Sequence, residues 1–287
     1  MINFLKYRWL YFAISAIVIG AGILSMARFG FRYSIDFVGG TTLEYRVNKS
    51  VSENTLGSFL QKEGVEIVDL ETIEGKIGLR TKALDEKQES ALRKNLQKDL
   101  GLKTELLRFE TVGPVLGRET MYKTITAAIV AVIAILLYMS FSFKGVNFAL
   151  SAILALLHDF LVVVGTYSLL SYFFKAEVDT LFVTALLTTM SFSVHDTIVV
   201  FDKIREYKKT EGRGNVEEYA NRALTETFVR SINNSMTIVF MLLALILLGG
   251  STIRFFIVAL LIGTITGTYS SPFIATPILV WLEKRKR

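Results

Sequence analysis

The stretch TLFVTALLTTMSFSVHDTIVVF, residues 180–201, decides how this chain is read. It runs from just after Asp179 to just before Asp202, and it matches the ~20 apolar residues that a bilayer crossing requires. Asp196 is its one acidic residue. A carboxylate inside a span costs at least ~2.5 kcal/mol, and such groups face a bundle interior or a water path, where they serve ions or protons. A structural polar contact between helices is the competing reading. His195 beside it adds a side chain that titrates near neutral pH.

Working outward, uncharged runs of spanning length recur at Trp9–Ala27, Thr124–Phe143, Ser231–Ile253 and Phe255–Leu282. A further span within Gly145–Phe174 carries the pair His158-Asp159, which makes six. The composition agrees: 52% of residues are apolar and the mean hydropathy is +0.46, outside the disordered and ordinary soluble classes. The first run is too long for the apolar core of a signal peptide and more spans follow, so a retained anchor is expected. The absence of cysteine excludes disulfides and thiolate metal sites. With six spans the termini share a side, which collects Lys6, Arg8, Lys144, the basic residues of 203–230 and the tail Lys284-Arg285-Lys286-Arg287. The short loops opposite carry Lys175 and Arg254, so the positive-inside rule puts both termini in the cytoplasm. These basic residues flank spans and form no aromatic-basic platform, which argues against nucleic acid as a partner.

Residues 28–120 are the one sizeable soluble segment, expected on the outer side. Thr41–Val47 is β-rich after Gly39-Gly40, and Ser52–Glu63 reads as a helix capped by Ser52 and stopped by Gly64. Val65–Ile73 and Lys76–Thr81 are strands joined tightly at Glu74-Gly75. Asp85–Leu100 is a helix capped by Asp85 and closed by Gly101, and Thr104–Thr111 is a last strand. The order β-α-β-β-α-β predicts a ferredoxin-like α+β unit with both helices on one face. The expected fold class is thus an α-helical polytopic membrane protein with that unit inserted between spans 1 and 2. Its expected parts are 1–28 (N-terminus and span 1), 29–120 (outer domain) and 121–287 (spans 2–6, with a cytoplasmic loop 202–230 and a basic tail). Within that loop, Val216–Phe228 reads as a surface helix with Tyr219, Ala223 and Phe228 on its apolar face, an interfacial connector to the lipid bilayer.

Inside the membrane, Asp159 falls near the middle of its span and Asp196 nearer the Asp202 end. Asp159 is expected to brace helices with His158. Two His-Asp pairs raise the thought of an intramembrane metallohydrolase, yet no HExxH spacing or third-ligand cluster supports a metal site. Thr197 and Asn234 belong to a polar set suited to a hydrogen-bonded interior. Arg230 opens the fifth span and either pairs with a carboxylate or snorkels to headgroups. In the sixth span, Gly263 and Gly267 with Ser270 and Ser271 allow close helix approach, and Pro272 and Pro277 predict a bent or locally unwound end.

Several of these stretches carry a resemblance. Asp36-Phe37-Val38-Gly39-Gly40-Thr41, Val112-Gly113-Pro114 with Gly117-Arg118-Glu119, His158-Asp159, the block Ser193 to Glu206 and the sixth-span run Ile262 to Ser271 resemble the SecF family of bacterial protein export, in order and over nearly the whole chain. The resemblance implies a proton-motive-force-coupled accessory subunit of the Sec translocase, non-enzymatic and without cofactor. It implies SecD as partner, association with the SecYEG channel complex, YajC and YidC, and a translocating preprotein as cargo. It also carries Asp196 and Arg230 over as proton-coupling residues, with His195 where Asn is common and Asn234 where Thr is common. Asp36 to Thr41 and Gly113 to Glu119 are read as hinge or docking elements, or as tight turns only. A proton-coupled small-molecule or lipid exporter of the same superfamily is the alternative function, and sodium the alternative ion.

Overall fold

A computed structural model describes residues 2–73, 75–143, 145–212 and 214–285. Glu74 of the expected hairpin, Arg213 of the loop, and Lys144, Lys286 and Arg287 of the charge pattern lie outside the described residues. After a 3-10 turn at Phe4–Tyr7 come α1 (Arg8–Phe29), β1 (Arg32–Tyr33), the single turn α2 (Ile35–Val38), β2 (Gly40–Val47), α3 (Glu53–Lys62), β3 (Ile67–Ile73) and β4 (Lys76–Thr81). There follow α4 (Glu86–Leu100), β5 (Thr104–Val112), α5 (Pro114–Ser142), α6 (Val146–Phe174) and β6 (Glu177–Val178). The chain ends with α7 (Thr180–Thr210), α8 (Val216–Leu248), α9 (Arg254–Ser270) and α10 (Thr276–Arg285). It divides into two compact units, one of Tyr33–Thr126 and one of the remainder.

In the smaller unit, the local signals act as the sequence predicts. Ser52 accepts the amide N–H of Thr55, and Asp85 and Gln88 form a reciprocal capping box. Gly101 closes α4 at φ +60°, a left-handed position that suits glycine. The four strands pair antiparallel in the order β3-β4-β2-β5. Alternation sends Leu43, Tyr45 and Val47 of β2 and Ile77 and Leu79 of β4 to one side. There they share a core with Leu56, Phe59 and Leu60 of α3 and Leu92 and Leu96 of α4. Both helices therefore cover one face, as a ferredoxin-like unit requires.

The larger unit is helical. Among the described residues six segments are long and apolar enough to cross a membrane: Phe4–Phe29, Pro114–Ser142, Val146–Phe174, Thr180–Thr210, Val216–Leu248 and Ser251–Arg285. Small residues decide how closely they pack. A Cβ built on Gly22 of α1 would lie 2.8 Å from Cα of Gly165 of α6. One on Gly267 of α9 would lie 2.9 Å from Cβ of Ser193 of α7, and Gly263 sits likewise against Thr189. Without a hydrophobic drive between helices in lipid, such backbone approach supplies the packing.

One expectation needs correction. α7 runs on to Thr210 and a helix begins at Val216 as expected, but the expected surface helix and the fifth span are one helix. Tyr219 and Ala223 are buried at 3% and 0% exposure, packing inward where an interfacial helix would face lipid headgroups. The ring of Tyr207 stacks on that of Tyr219 at 6.1 Å and ties the two helix ends together. At the end of the sixth span the expected local departure from α-helix is present: Ser271–Ala275 forms a π-helical turn, because Pro272 lacks the N–H that an α-turn would use.

Candidate functional site

Asp196 is 5% exposed, on the turn of α7 that faces α8, and its Oδ2 accepts a hydrogen bond from Ser231 Oγ at 2.6 Å. Thr197, one residue on, hydrogen-bonds Ser271 Oγ at 2.8 Å and the carbonyl of Ser193 at 3.2 Å, so it reaches the π turn. Arg230 forms no hydrogen bond with Asp196. It is exposed and lines a cleft of about 460 Å³ between α7 and α8, together with Val199, Asp202, Lys203, Glu206, Glu226 and Thr227. Five of those seven side chains are charged, so the cleft is polar. Its charges are tied across the two helices: Lys203 pairs with Glu226 at 3.4 Å, and Tyr207 donates its hydroxyl proton to Glu226.

Asp159 on α6 is the better-connected acid. It is 3% exposed; Oδ2 accepts from Ser270 Oγ of α9 at 2.7 Å and from Ser193 Oγ of α7, and Oδ1 meets His158 Nδ1 at 2.8 Å. The far nitrogen of His158 lies 2.8 Å from Ser15 Oγ of α1. Four helices thus converge on the His158-Asp159 pair. Their hydroxyl donors satisfy a buried carboxyl group without an arginine or lysine.

His195 and Asn234 are exposed, as is Asn233. Asp159 and Asp196 share no hydrogen-bond partner, and among the described residues no three His, Asp or Glu side chains gather as a metal site needs. Sequence reasoning missed Ser231 and Ser15. Their spacing carries the signal in retrospect, since Ser15, Gly22 and Ser25 are the buried residues of α1 and recur on one helical face.

The remaining predicted elements lie within the smaller unit. Gly39 takes φ +74° and a Cβ there would lie 2.8 Å from Cα of Pro114; one on Gly117 would lie 2.7 Å from the amide N of Gly39. Gly40, at φ +126°, sits under the carbonyl of Thr81. Thr41 Oγ1 hydrogen-bonds Thr111 at 2.9 Å and accepts the Leu84 N–H at 2.7 Å. The Gly39-Gly40 and Gly113-Pro114 segments therefore meet backbone to backbone where the domain begins and ends. The side chain of Asp36 lies on the α2 turn, and Glu119 pairs with Lys123 at 2.6 Å.

A six-span bundle with two buried acids, each held by hydroxyl donors from neighbouring helices, and a ferredoxin-like insertion define a multi-pass membrane protein. Residues 92–285 match the family model of protein export membrane protein SecD/SecF, C-terminal, and residues 24–51 match the SecD/SecF GG motif, which includes Gly39-Gly40. The chain belongs to the SecD/SecF family of protein-export membrane proteins. It is 39% identical to protein translocase subunit SecF of Thermobaculum terrenum, over 99% of this chain and 95% of that one. Protein translocase subunit SecF of Anaerolinea thermophila is 37% identical over 99% of this chain and 94% of its own. The crystal structure of SecDF from Thermus thermophilus aligns with a TM-score of 0.86 at 33% identity, covering 99% of this chain. The present chain spans only 39% of that solved chain.

Proposed function

We propose that the chain is the SecF-type half of an accessory unit of the Sec translocase, coupling proton movement to late translocation and release of secreted proteins. The observation that carries this is the match along nearly its whole length to proteins named protein translocase subunit SecF. On this reading it is not an enzyme. It sits in the bacterial plasma membrane with both termini in the cytoplasm and residues 29–120 outside. Its partners are a SecD protein, the SecYEG channel, YajC and YidC, with the translocating preprotein as cargo.

Two features support the need for SecD. In Thermus thermophilus the relative is a single protein named SecDF, of which the alignment takes in 35%. Second, Ser191 and His195 of α7 and Arg230, Asn233 and Asn234 of α8 are exposed, and no hydrogen bond within the chain is formed by their side chains among the described residues. In lipid such groups are costly and face protein or water. A polar face of this kind suits the spans that a SecD partner supplies.

Asp196 is the proton-coupling residue on this reading, with Arg230, His195 and Thr197 around it. Loss of water favours the neutral form of a carboxyl group, and an approaching guanidinium favours the ionised form. Arg230 lines the polar cleft and adjoins Ser231, the hydrogen-bond donor to Asp196, so a side-chain swing of Arg230 would alternate the two states. One elementary charge crossing 100 mV supplies ~2.3 kcal/mol, roughly a fifty-fold bias on a two-state element. The test is Asp196→Asn in membrane vesicles with SecD: expression and co-purification are retained, and translocation loses its response to a proton gradient. Arg230→Lys keeps part of the response, since charge survives without the planar fork. A normal response of Asp196→Asn would place the proton path elsewhere, and a response only to sodium would name the other ion.

A further inference from the structure

We propose that His158 and Asp159 hold one shared proton as a net-neutral pair, which makes α6 a second proton site separate from Asp196. The inference stands on burial, charge and hydrogen-bond geometry and does not depend on the translocase reading. His158 Nε2 lies 2.8 Å from Ser15 Oγ, whose other side-chain neighbour, the hydroxyl of Tyr269, is 3.5 Å away and donates to the carbonyl of Tyr11 at 3.1 Å. The oxygen of Ser15 can therefore accept from Nε2.

When Nε2 bears hydrogen, two arrangements fill the 2.8 Å contact between Nδ1 and Asp159 Oδ1. Either a protonated Asp159 donates to the neutral ring, or an imidazolium donates to the carboxylate. Both contain one proton more than a carboxylate beside a neutral imidazole. Oδ2 already accepts from Ser193 and Ser270, which leaves Oδ1 as the oxygen that shares the proton.

Charge selects these arrangements over a carboxylate beside a neutral ring. His158 and Asp159 are 7% and 3% exposed, and Asp159 forms no ion pair with lysine or arginine among the described residues. The side chains facing the pair are Ser15 from α1, Ser193 from α7, and Tyr269 and Ser270 from α9. All are neutral hydroxyl carriers. A carboxylate beside a neutral ring would be an uncompensated buried charge, and that penalty runs to several kcal/mol. Holding the proton removes it, and the proton can move between Oδ1 and Nδ1 without changing the charge of the site.

The chain has two histidines, which makes the test direct. Full-length protein labelled with 15N-histidine is placed in lipid bilayers and its imidazole nitrogens are read by solid-state NMR at neutral pH, with His195→Gln assigning the remaining signals to His158. Expected is Nε2 bearing hydrogen, with Nδ1 in a strong hydrogen bond to the Asp159 carboxyl. Asp159→Asn should lower the number of protons bound by one per chain and remove the strong hydrogen bond at Nδ1. Nε2 without hydrogen and Nδ1 as an ordinary N–H in the unmodified chain would overturn the proposal. That spectrum decides the matter even if Asp159→Asn fails to assemble.

Discussion

Gly22→Ala tests the closest helix contact in the membrane unit. The added Cβ would lie 2.8 Å from Cα of Gly165 and 3.3 Å from its carbonyl carbon, both backbone atoms that cannot swing aside. Ordinary carbon contacts are ~3.5–4.0 Å, so α1 must back away from α6 by roughly 1 Å. Two interhelical hydrogen bonds flank the contact, Ser25 Oγ to Ser168 Oγ at 2.9 Å and His158 Nε2 to Ser15 Oγ at 2.8 Å. A 1 Å separation takes both beyond hydrogen-bonding distance. Overpacking costs ~1–3 kcal/mol, the two bonds add roughly 1 kcal/mol, and the helix gains about 1 kcal/mol from replacing glycine. The net expectation is a loss of about 1–3 kcal/mol. Gly20→Ala is the matched control, because no atom lies within 4 Å of the Cβ position there. Reversible denaturant unfolding of the full chain in bicelles should show Gly22→Ala destabilised and Gly20→Ala neutral or slightly stabilised. Equal stability of the two variants would refute the reasoning.

In the smaller unit, Gly40→Ala places a Cβ 2.6 Å from the Thr81 carbonyl oxygen at φ +126°, so exchange protection of β2 and β4 amides should fall by at least tenfold, or ~1.4 kcal/mol. Gly57→Ala in α3, which meets only a Leu70 methyl at 3.9 Å, should hold or raise protection. Tyr45 is fully buried and donates to Glu89 Oε1 at 3.2 Å, so burial and the neighbouring carboxylate push its hydroxyl above the ordinary tyrosine range. A folded value above the unfolded one means stability fully present below pH ~10 and lost as pH rises further. Alkaline unfolding of this unit should therefore be delayed in Tyr45→Phe relative to its own stability at neutral pH; identical alkaline profiles would exclude Tyr45 as the titrating group.

The fold of the smaller unit was legible because each of its signals is local. Ser52, Asp85 and Gly101 occupy positions that physical chemistry reserves for such residues, and the strand alternation states which side is covered. The six spans were equally legible, since length and apolarity suffice. Interhelical detail was not. In a uniformly apolar helix, hydropathy does not distinguish the face against a neighbour from the face against lipid, so the Ser15, Gly22, Ser25 stripe stayed hidden. In the 202–230 stretch the helix start at Val216 was legible, but its continuity with the fifth span was not, nor was the pairing of Lys203 and Tyr207 of α7 with Glu226 of α8, because such cross-helix partners leave no local signal.

Helix α7 is where the two acids come into mechanical relation. Within little more than one turn, Ser193 donates to Asp159 of α6, Asp196 accepts from Ser231 of α8, and Thr197 meets Ser271 at the π turn that follows α9. Gly267 of α9 lies under Ser193, so that turn has no slack against its neighbour. A rotation of α7 that brought Asp196 toward the Arg230 cleft would also move Ser193 away from Asp159 and strain the pair with His158. Conversely, a proton lost from that pair would leave a negative charge facing the Ser193 hydroxyl and hold α7 in place more tightly. If both sites hold protons as proposed, they should be coupled through one helical turn, each constraining the protonation at which the other is stable. Double-mutant comparison tests this: Ser193→Ala with Asp196→Asn should depart from additivity in proton uptake, whereas additive effects would mean that α7 transmits nothing between them.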